Sequence, residues 1–530
     1  MPDSITTLTG LMDTLRPLAR KPEPGQDTTS AYATAAARAA DPGYNQWLRH
    51  VGTARGCIRP IRLSGRIHTV NTATGEILAT RTTATMPDEV VYIPCGDRRA
   101  EVCPSCAEMY RADTYHMIKS GLTGGKGTPD TVNRHPAVFT TLTAPSFGPV
   151  HTHSTTASGK MKPCRPRRTM TLCPHGRPTW CSQRHPDGSK AIGKPLCPDC
   201  YDYAGHAVWN AFASELWRRT TQTLRRLASR LGNEHGIKLD VSFGKVAEYQ
   251  HRGIVHFHAI IRLDQRDPDD PDAIHPPPPD LNAGHLDNLI TQAVTTTAFR
   301  TPPHPGGRHL DPRPEGWLIT WGSQLVNRPL SRVTGAQVTE EMVAAYVAKY
   351  ATKSTEATGF TARRITTQNI RRYADYQTHA GTLIAACWDI GANPYDPGEP
   401  DHEGGHWYPP DAGDEPENRE VWKHTYGKLR RWAHMFGFGG HFTTRSRRYG
   451  PTRKALKTIR RVYQRSQQLL RHAEHHTADH LDDDTTLIVS DLAFAGIGYL
   501  TTGDAELALT AAAKAREHRN TQITERKSIA

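Results

Sequence analysis

The chain has 530 residues, a net charge of +13 and only 37% hydrophobic residues. That length exceeds one compact core, so roughly two to four domains are expected, separated by Pro- and Gly-rich segments. No run of eighteen apolar residues occurs and the N-terminus lacks the basic start and apolar core of a signal peptide, so neither a membrane-spanning helix nor a membrane partner is expected, and the cytoplasm is the expected compartment.

In chain order, residues 1–55 read as a polar, Ala-rich, mobile segment with one short helix. Residues 56–130 hold a C-x-x-C turn, "CPSC", leading into a helix. "HPAVFTTLTAPS" reads as a strand with Val138, Thr140 and Leu142 on one face and Phe139, Thr141 and Thr143 on the other. Residues 151–200 are poor in aliphatics and contain five cysteines. A long helix follows, with an apolar stripe at Trp209, Phe212, Leu216, Leu224 and Leu227. Two strands come next. Residues 265–316 are Pro-rich and read as an insertion around one helix. "TEEMVAAYVAKYATKS" is a helix, residues 388–418 an acidic linker, 419–475 a basic segment and 476–530 a tail of two short helices broken at Gly503.

The charge is unevenly placed. Arg419 to Arg471 holds fifteen Lys or Arg and one acid, Glu420, so the rest of the chain is close to neutral. A basic face is usually just solvated surface. This block is interleaved with Trp422, Trp432, Phe436, Phe438, Phe442 and Tyr449, which points to a nucleic-acid partner, with Arg445, Arg447, Arg448 and Arg453 as phosphate contacts.

Clustered cysteines in a reducing compartment read as metal ligands before disulfides. Cys57, Cys95, Cys103 and Cys106 form one zinc-ribbon-like set. Cys173, Cys181, Cys197 and Cys200 form a second, in which His175, His185 or Cys164 could replace a ligand. Free thiols are the competing reading. Cys387 stands apart and is expected to be buried.

In "GKVAEYQHRGIVHFHAIIRLD" two histidines sit two apart in an apolar run. In a strand, His256, His258, Ile260 and Arg262 share one face, while Phe257, Ala259, Ile261 and Leu263 form a core face. "HRG" is a three-residue hairpin loop with Gly253 supplying the left-handed position. That register places Glu248 directly opposite His256, so two imidazoles and a carboxylate converge on one face, a donor set for a divalent metal. By chance alone, 28 histidines give roughly one or two such triplets, so the triplet by itself is weak. A second one, His151–His153, is read as coincidence. In "YVAKYATK", Tyr346 and Tyr350 share a helix face with Cβ atoms about 6 Å apart, each followed three residues on by a lysine, Lys349 and Lys353. A phenol is a poor nucleophile at neutral pH unless cations assist it. Two buried tyrosines with snorkelling lysines are the alternative.

Taken together, "FTTLTAPS", "HFHAII" and "YVAKYATK" resemble, in order, the motifs of rolling-circle replication initiators of the HUH endonuclease superfamily, two-tyrosine type. "CPDCYDYAGHAVWN" and "GFGGHFTTRSRRYG" resemble the initiators of actinobacterial plasmids and integrative conjugative elements. The resemblance covers roughly residues 55–465. It implies an α+β fold: a ferredoxin-like antiparallel sheet with a catalytic helix over 131–387, plus zinc-ribbon modules and a helical basic C-terminal region. It implies Mg²⁺ or Mn²⁺ on His256 and His258, with Glu248 as third ligand, while the expected structural Zn²⁺ rests on the cysteine spacing. Tyr350 would be the first nucleophile and Tyr346 the second, nicking one strand of origin DNA, single-stranded at the nick, to leave a 5′-phosphotyrosine and a 3′-hydroxyl primer. No Walker-type phosphate loop is present, so a host helicase as well as a polymerase would be needed. A zinc-containing DNA-binding regulator without catalysis, or a relaxase or transposase of the same superfamily, remains open.

Overall fold

The computed structural model describes residues 28–270, 272–306, 313, 315–330, 340–353, 355–360, 363–396, 403, 413–473 and 486–529. The expectations for residues 1–27 and for residues 397–402 and 404–412 of the acidic linker lie outside the described residues. The chain divides into two units, one formed by residues 1–97, 103–106 and 478–530, the other by residues 98–102 and 107–477.

In the first unit the strand Ile61–Asn71 runs antiparallel to Ile77–Thr82, to Val91–Ile93 and to Thr486–Ile497 from the far end of the chain. The expected short helical tail is therefore a strand followed by one helix, Thr502–Ile529. The run "TLIVSDLAFAGI" is mostly exposed, so no clean two-residue burial alternation marks it, and pairing with a partner over 400 residues away decides its state. Gly65, at φ +144°, permits that pairing, because a Cβ there would collide with the Asp491 carbonyl. Gly503 does not break the helix. It lies in the first turn, where a Cβ would strike Ala35 and Thr34 of the helix Thr28–Ala40. Arg38 ties these elements together, reaching Asp88 at 2.8 Å and Asp504 at 2.7 Å. Asp88 also accepts from the Trp47 indole and the Tyr92 hydroxyl. The core of this unit packs Trp47, Val51, Tyr92 and Tyr499 around three of its cysteines.

The second unit is built on a five-stranded antiparallel sheet. Its order is Thr443–Arg445, Leu239–Tyr249, Val255–Gln265, Ala137–Leu142, Leu325–Pro329. Alternation along the strands gives it two buried faces. On one, Val138, Leu142, Phe257, Ala259, Ile261 and Leu263 meet the long helix Tyr203–Glu234 and the helices Ala283–Thr296 and His379–Ile390. Asp202 caps the long helix by accepting from the Gly205 amide at 2.8 Å. Leu286, Ile290, Ala293 and Val294 are fully part of this core, so the Pro-rich stretch contributes a packed helix and not only a surface excursion. On the other face, Phe139, Val246 and Ile260 pack against Met117, Ile118 and Leu122 of the helix Pro104–Thr123 and against Val343, Ala344 and Val347 of the tyrosine helix Glu340–Tyr350. Cys387 is buried, as its isolation in the sequence implies.

Candidate functional site

The site grows from the central hairpin. Glu248 pairs directly with His256 across the two strands, and Gln250 N–H donates to the Ile254 carbonyl at 3.0 Å. Gly253 closes the turn at φ +83°. One buried side chain from the long helix holds the turn in place. The Asn210 amide donates to the carbonyls of Gly253 and Phe436, and its oxygen accepts from Val255 N–H. An Asn in a helix interior is poorly placed by propensity, and that misfit was the one sequence signal for this residue.

The two imidazole rings lie 4.6 Å apart. His258 Nδ1 meets the Thr141 hydroxyl at 3.1 Å, which fixes the ring and turns Nε2 towards Glu248 Oε1 at 3.4 Å. Thr141 comes from the neighbouring strand, on the face that its sequence alternation gives it. The Gln250 side chain lies 3.3 Å from His256 Nδ1. Burial, and then the neighbouring His258, pushes the His256 pKa down to about 3, so its imidazole is neutral, the form that binds metals. Glu248 Oε2 is buried and accepts no hydrogen bond, with the Lys353 ammonium at 3.9 Å. An orphaned carboxylate oxygen beside two imidazoles, all ligand atoms within 4.8 Å of one another, is a donor set that fits a divalent cation.

The tyrosine helix lies over this pocket. The Tyr350 ring stacks on His258 at 5.1 Å, Tyr346 sits edge-on at 5.8 Å, and the two phenols are 4.7 Å apart. Tyr350 is partly buried and Tyr346 is exposed. Burial, the Tyr346 hydroxyl and the Glu248 charge all raise the Tyr350 pKa. The Lys353 ammonium lies 4.5 Å from the Tyr350 ring centre. Lys349 is exposed on the helix. The structure thus gathers Glu248, His256, His258, Tyr346, Tyr350 and Lys353, and leaves Lys349 outside.

The cysteines regroup. Cys57, Cys95, Cys103 and Cys106 converge, with sulfur pairs Cys57–Cys103 and Cys95–Cys106 each at 3.7 Å. A tetrahedral zinc site with Zn–S near 2.3 Å has sulfur–sulfur edges of about 3.8 Å, whereas a disulfide would bring the atoms to about 2 Å. The second set differs from the spacing-based expectation. Cys173, Cys197 and Cys200 gather with His175, and Cys181 lies instead with His151, Cys164 and His185. The cause is a local ladder: Arg165 and Cys181 exchange both backbone hydrogen bonds, which carries Cys181 to Cys164 and away from the C-x-x-C turn. His151, whose triplet reads as coincidence in the sequence, is one of that group.

The basic segment also needs correction. Phe436, Phe438, Phe442 and Tyr449 are buried in the protein's own cores, so they are not stacking platforms for bases. Arg453 donates to Tyr110 and Thr114 and covers the Tyr110 ring at 3.5 Å. Arg448 lies 3.6 Å from Asp240, and Arg445 is half-buried, bonded to nearby carbonyls. Of the four arginines, Arg447 is the strongly exposed one, 3.1 Å from Asp272. Further cations, Lys454, Lys457 and Arg461, are exposed on the helix Arg453–Ala473.

The fold and site thus define a mixed α/β protein whose antiparallel sheet offers a carboxylate and two imidazoles to paired phenols, and whose cysteine groups could hold a metal. Residues 43–513 match a family described as "RepSA: Replication initiator protein, pSAM2", and the chain belongs to that family of replication initiators. A replication initiator protein from Streptomyces ambofaciens is 37% identical over 493 residues, spanning 91% of this chain and 93% of that protein. No solved structure matches the chain. Among the described residues no helix is long and apolar enough to cross a membrane.

Proposed function

We propose that this replication initiator starts rolling-circle replication by nicking one strand of origin DNA, in the manner of the two-tyrosine HUH endonucleases. The observation that carries the reading is the stacking of Tyr350 on His258 beside the orphaned Glu248 oxygen. A regulator that only binds DNA has no use for that arrangement.

Glu248, His256 and His258 would hold Mg²⁺ or Mn²⁺, which supplies charge neutralisation at the scissile phosphate when bound. Tyr350 Oη attacks phosphorus and loses its proton. The bond from phosphorus to the 3′ oxygen breaks, that oxygen takes up a proton, and the 5′-phosphate stays on the tyrosine. Lys353, above the Tyr350 ring and near Glu248, lowers the cost of phenolate. Tyr346, one helical turn away, performs the second transfer that ends a round. The freed 3′-hydroxyl primes a host polymerase, and a host helicase separates the strands. Zinc at Cys57, Cys95, Cys103 and Cys106 and at Cys173, His175, Cys197 and Cys200 stabilises the loops that carry these ligands.

The test is incubation of the protein with single-stranded origin DNA and Mn²⁺. The expected product is a covalent protein–DNA adduct that requires Tyr350. DNA binding with no adduct would favour the regulator.

A further inference from the structure

The regrouped ligands leave a site that the two expected zinc sets do not explain. His151 Nδ1 and His185 Nε2 are 3.1 Å apart, His185 Nε2 and Cys181 Sγ 3.5 Å, and His151 Nδ1 and Cys164 Sγ 3.8 Å. All four ligand atoms lie within 4.8 Å of one another. A tetrahedral zinc with two nitrogens and two sulfurs has edges of about 3.3 Å between nitrogens and about 3.5 Å between nitrogen and sulfur. The observed separations follow that pattern. The surroundings suit a thiolate: Thr152 N–H points at Cys164 Sγ at 3.2 Å, and both thiols are buried. The His153 ring reaches the His185 carbonyl at 2.7 Å, fixing the fourth ligand's backbone.

The loop so pinned stands beside the catalytic hairpin. His151 N–H donates to the Lys194 carbonyl, and Gly193 N–H donates back to the His151 carbonyl at 2.8 Å. Gly193, at φ +84°, presses on the hairpin turn so closely that a Cβ would collide with the backbone of His251 and Arg252. Those residues lie between Glu248 and His256. Arg165, next to the ligand Cys164, donates to the Val150 carbonyl at 2.8 Å. An open groove of about 980 Å³ runs between this loop and the nicking site, lined on one side by Thr152, His153 and Arg165 and on the other by Glu248, Gln250 and Lys353.

We infer that His151, Cys164, Cys181 and His185 bind a third zinc ion, and that the loop it fixes is the outer wall of the groove receiving the single strand that flanks the scissile phosphate. The groove offers Arg165, Arg252 and Lys353 for phosphates and neutral donors at Thr152 and Gln250 for bases, set among the carboxylates of Glu101, Asp187 and Glu356. The zinc assignment stands on ligand geometry alone, while the strand assignment rests on the nicking reading.

Two independent measurements separate these parts. Elemental analysis of the purified full-length protein should find three zinc ions per chain, and Cys181→Ser should lose one. His185→Cys, which keeps a ligand, should retain all three. In the wild type, chelator should open Cys164 and Cys181 to alkylation, mapped by mass spectrometry, so the assignment does not depend on a variant that folds. Two zinc ions in the wild type, or thiols indifferent to chelator, overturn the site. The groove is read in a Tyr350→Phe background by the affinity for a single-stranded origin oligonucleotide, so absence of nicking cannot confuse the result. Loss of the third zinc should weaken that affinity at least tenfold and leave duplex affinity within twofold. Unchanged single-strand affinity with the zinc gone overturns the wall.

Discussion

His151–Thr152–His153 and His256–Phe257–His258 are the same triplet in two backbones. In the strand Val255–Gln265, two-residue alternation sends both imidazoles to one face, where a paired strand adds Glu248. In the loop around residue 152 no ladder enforces alternation. His151 turns to Cys164, Cys181 and His185, while His153 turns to a carbonyl. A short motif therefore carries chemical meaning only through the element that orients it, and the strand could be recognised because its apolar face was legible.

The largest expected effect breaks the comparison outright. His258→Ala should reduce Mn²⁺-dependent nicking by on the order of 10³-fold, with duplex origin binding nearly unchanged. His153→Ala should cost nicking less than tenfold. Equal losses in a single-turnover nicking assay would show that the strand triplet has no special role. The tyrosines sharpen the same contrast, since both rings lie against His258 of the strand site. Tyr350→Phe should abolish the covalent adduct of the first step. Tyr346→Phe should still nick but release no closed circles, seen on denaturing gels. The reverse pattern would exchange the two roles, and an adduct surviving in the double variant would remove both from the chemistry.

Metal-dependent stability comes next. Cys103→Ser and Cys197→Ser should each lose zinc and several kcal/mol of stability, because a structural zinc contributes folding free energy directly. Thermal melting with and without chelator reads this, and zinc-free wild-type protein of unchanged stability would sink the idea. A smaller effect concerns DNA affinity. Replacing Arg447, Lys454, Lys457 and Arg461 by Ala should flatten the salt dependence of binding by about one unit per lost phosphate contact. Arg453→Ala should instead destabilise the fold, since its guanidinium serves Tyr110 and Thr114.

What the sequence made legible follows the range of the interactions. The hairpin, its register, the tyrosine pair and the long helix Tyr203–Glu234 rest on spacings within about thirty residues, and each was readable. The strand Thr486–Ile497 was not, because its partner is Ile61–Asn71. The regrouping of Cys181 was hidden because a C-x-x-C turn invites the nearest thiols, whereas the ladder at Arg165 decides which ones meet. The aromatics of residues 436–449 misled for a related reason. Interleaved with cations they resemble a nucleic-acid surface, but the strand Thr443–Arg445 joins the sheet edge and carries them inside.

Buried histidines supply the smallest test, because burial alone does not distinguish a ligand from a satisfied core residue. His304 is the satisfied kind. Its Nε2–H donates to the Ile390 carbonyl at 2.8 Å and its Nδ1 accepts from Gly306 N–H at 3.0 Å, so the neutral ring has both partners. Burial holds its pKa down to about 4. The unfolded chain, with a pKa near 6.5, binds the proton more readily, so this contribution is fully present above pH 6.5 and is lost as the pH falls towards 4. At 1.36 kcal/mol per unit, the loss is about 3 kcal/mol. His304→Gln should therefore lower stability at pH 7 and remove about one proton from the acid dependence between pH 6.5 and 4, measured by denaturant unfolding. Its nicking pH profile should match the wild type's, unlike that of any His256 variant. A shifted nicking profile in His304→Gln would place this histidine in the chemistry, and an unaltered acid dependence of stability would show that its ring takes up its proton equally readily folded and unfolded.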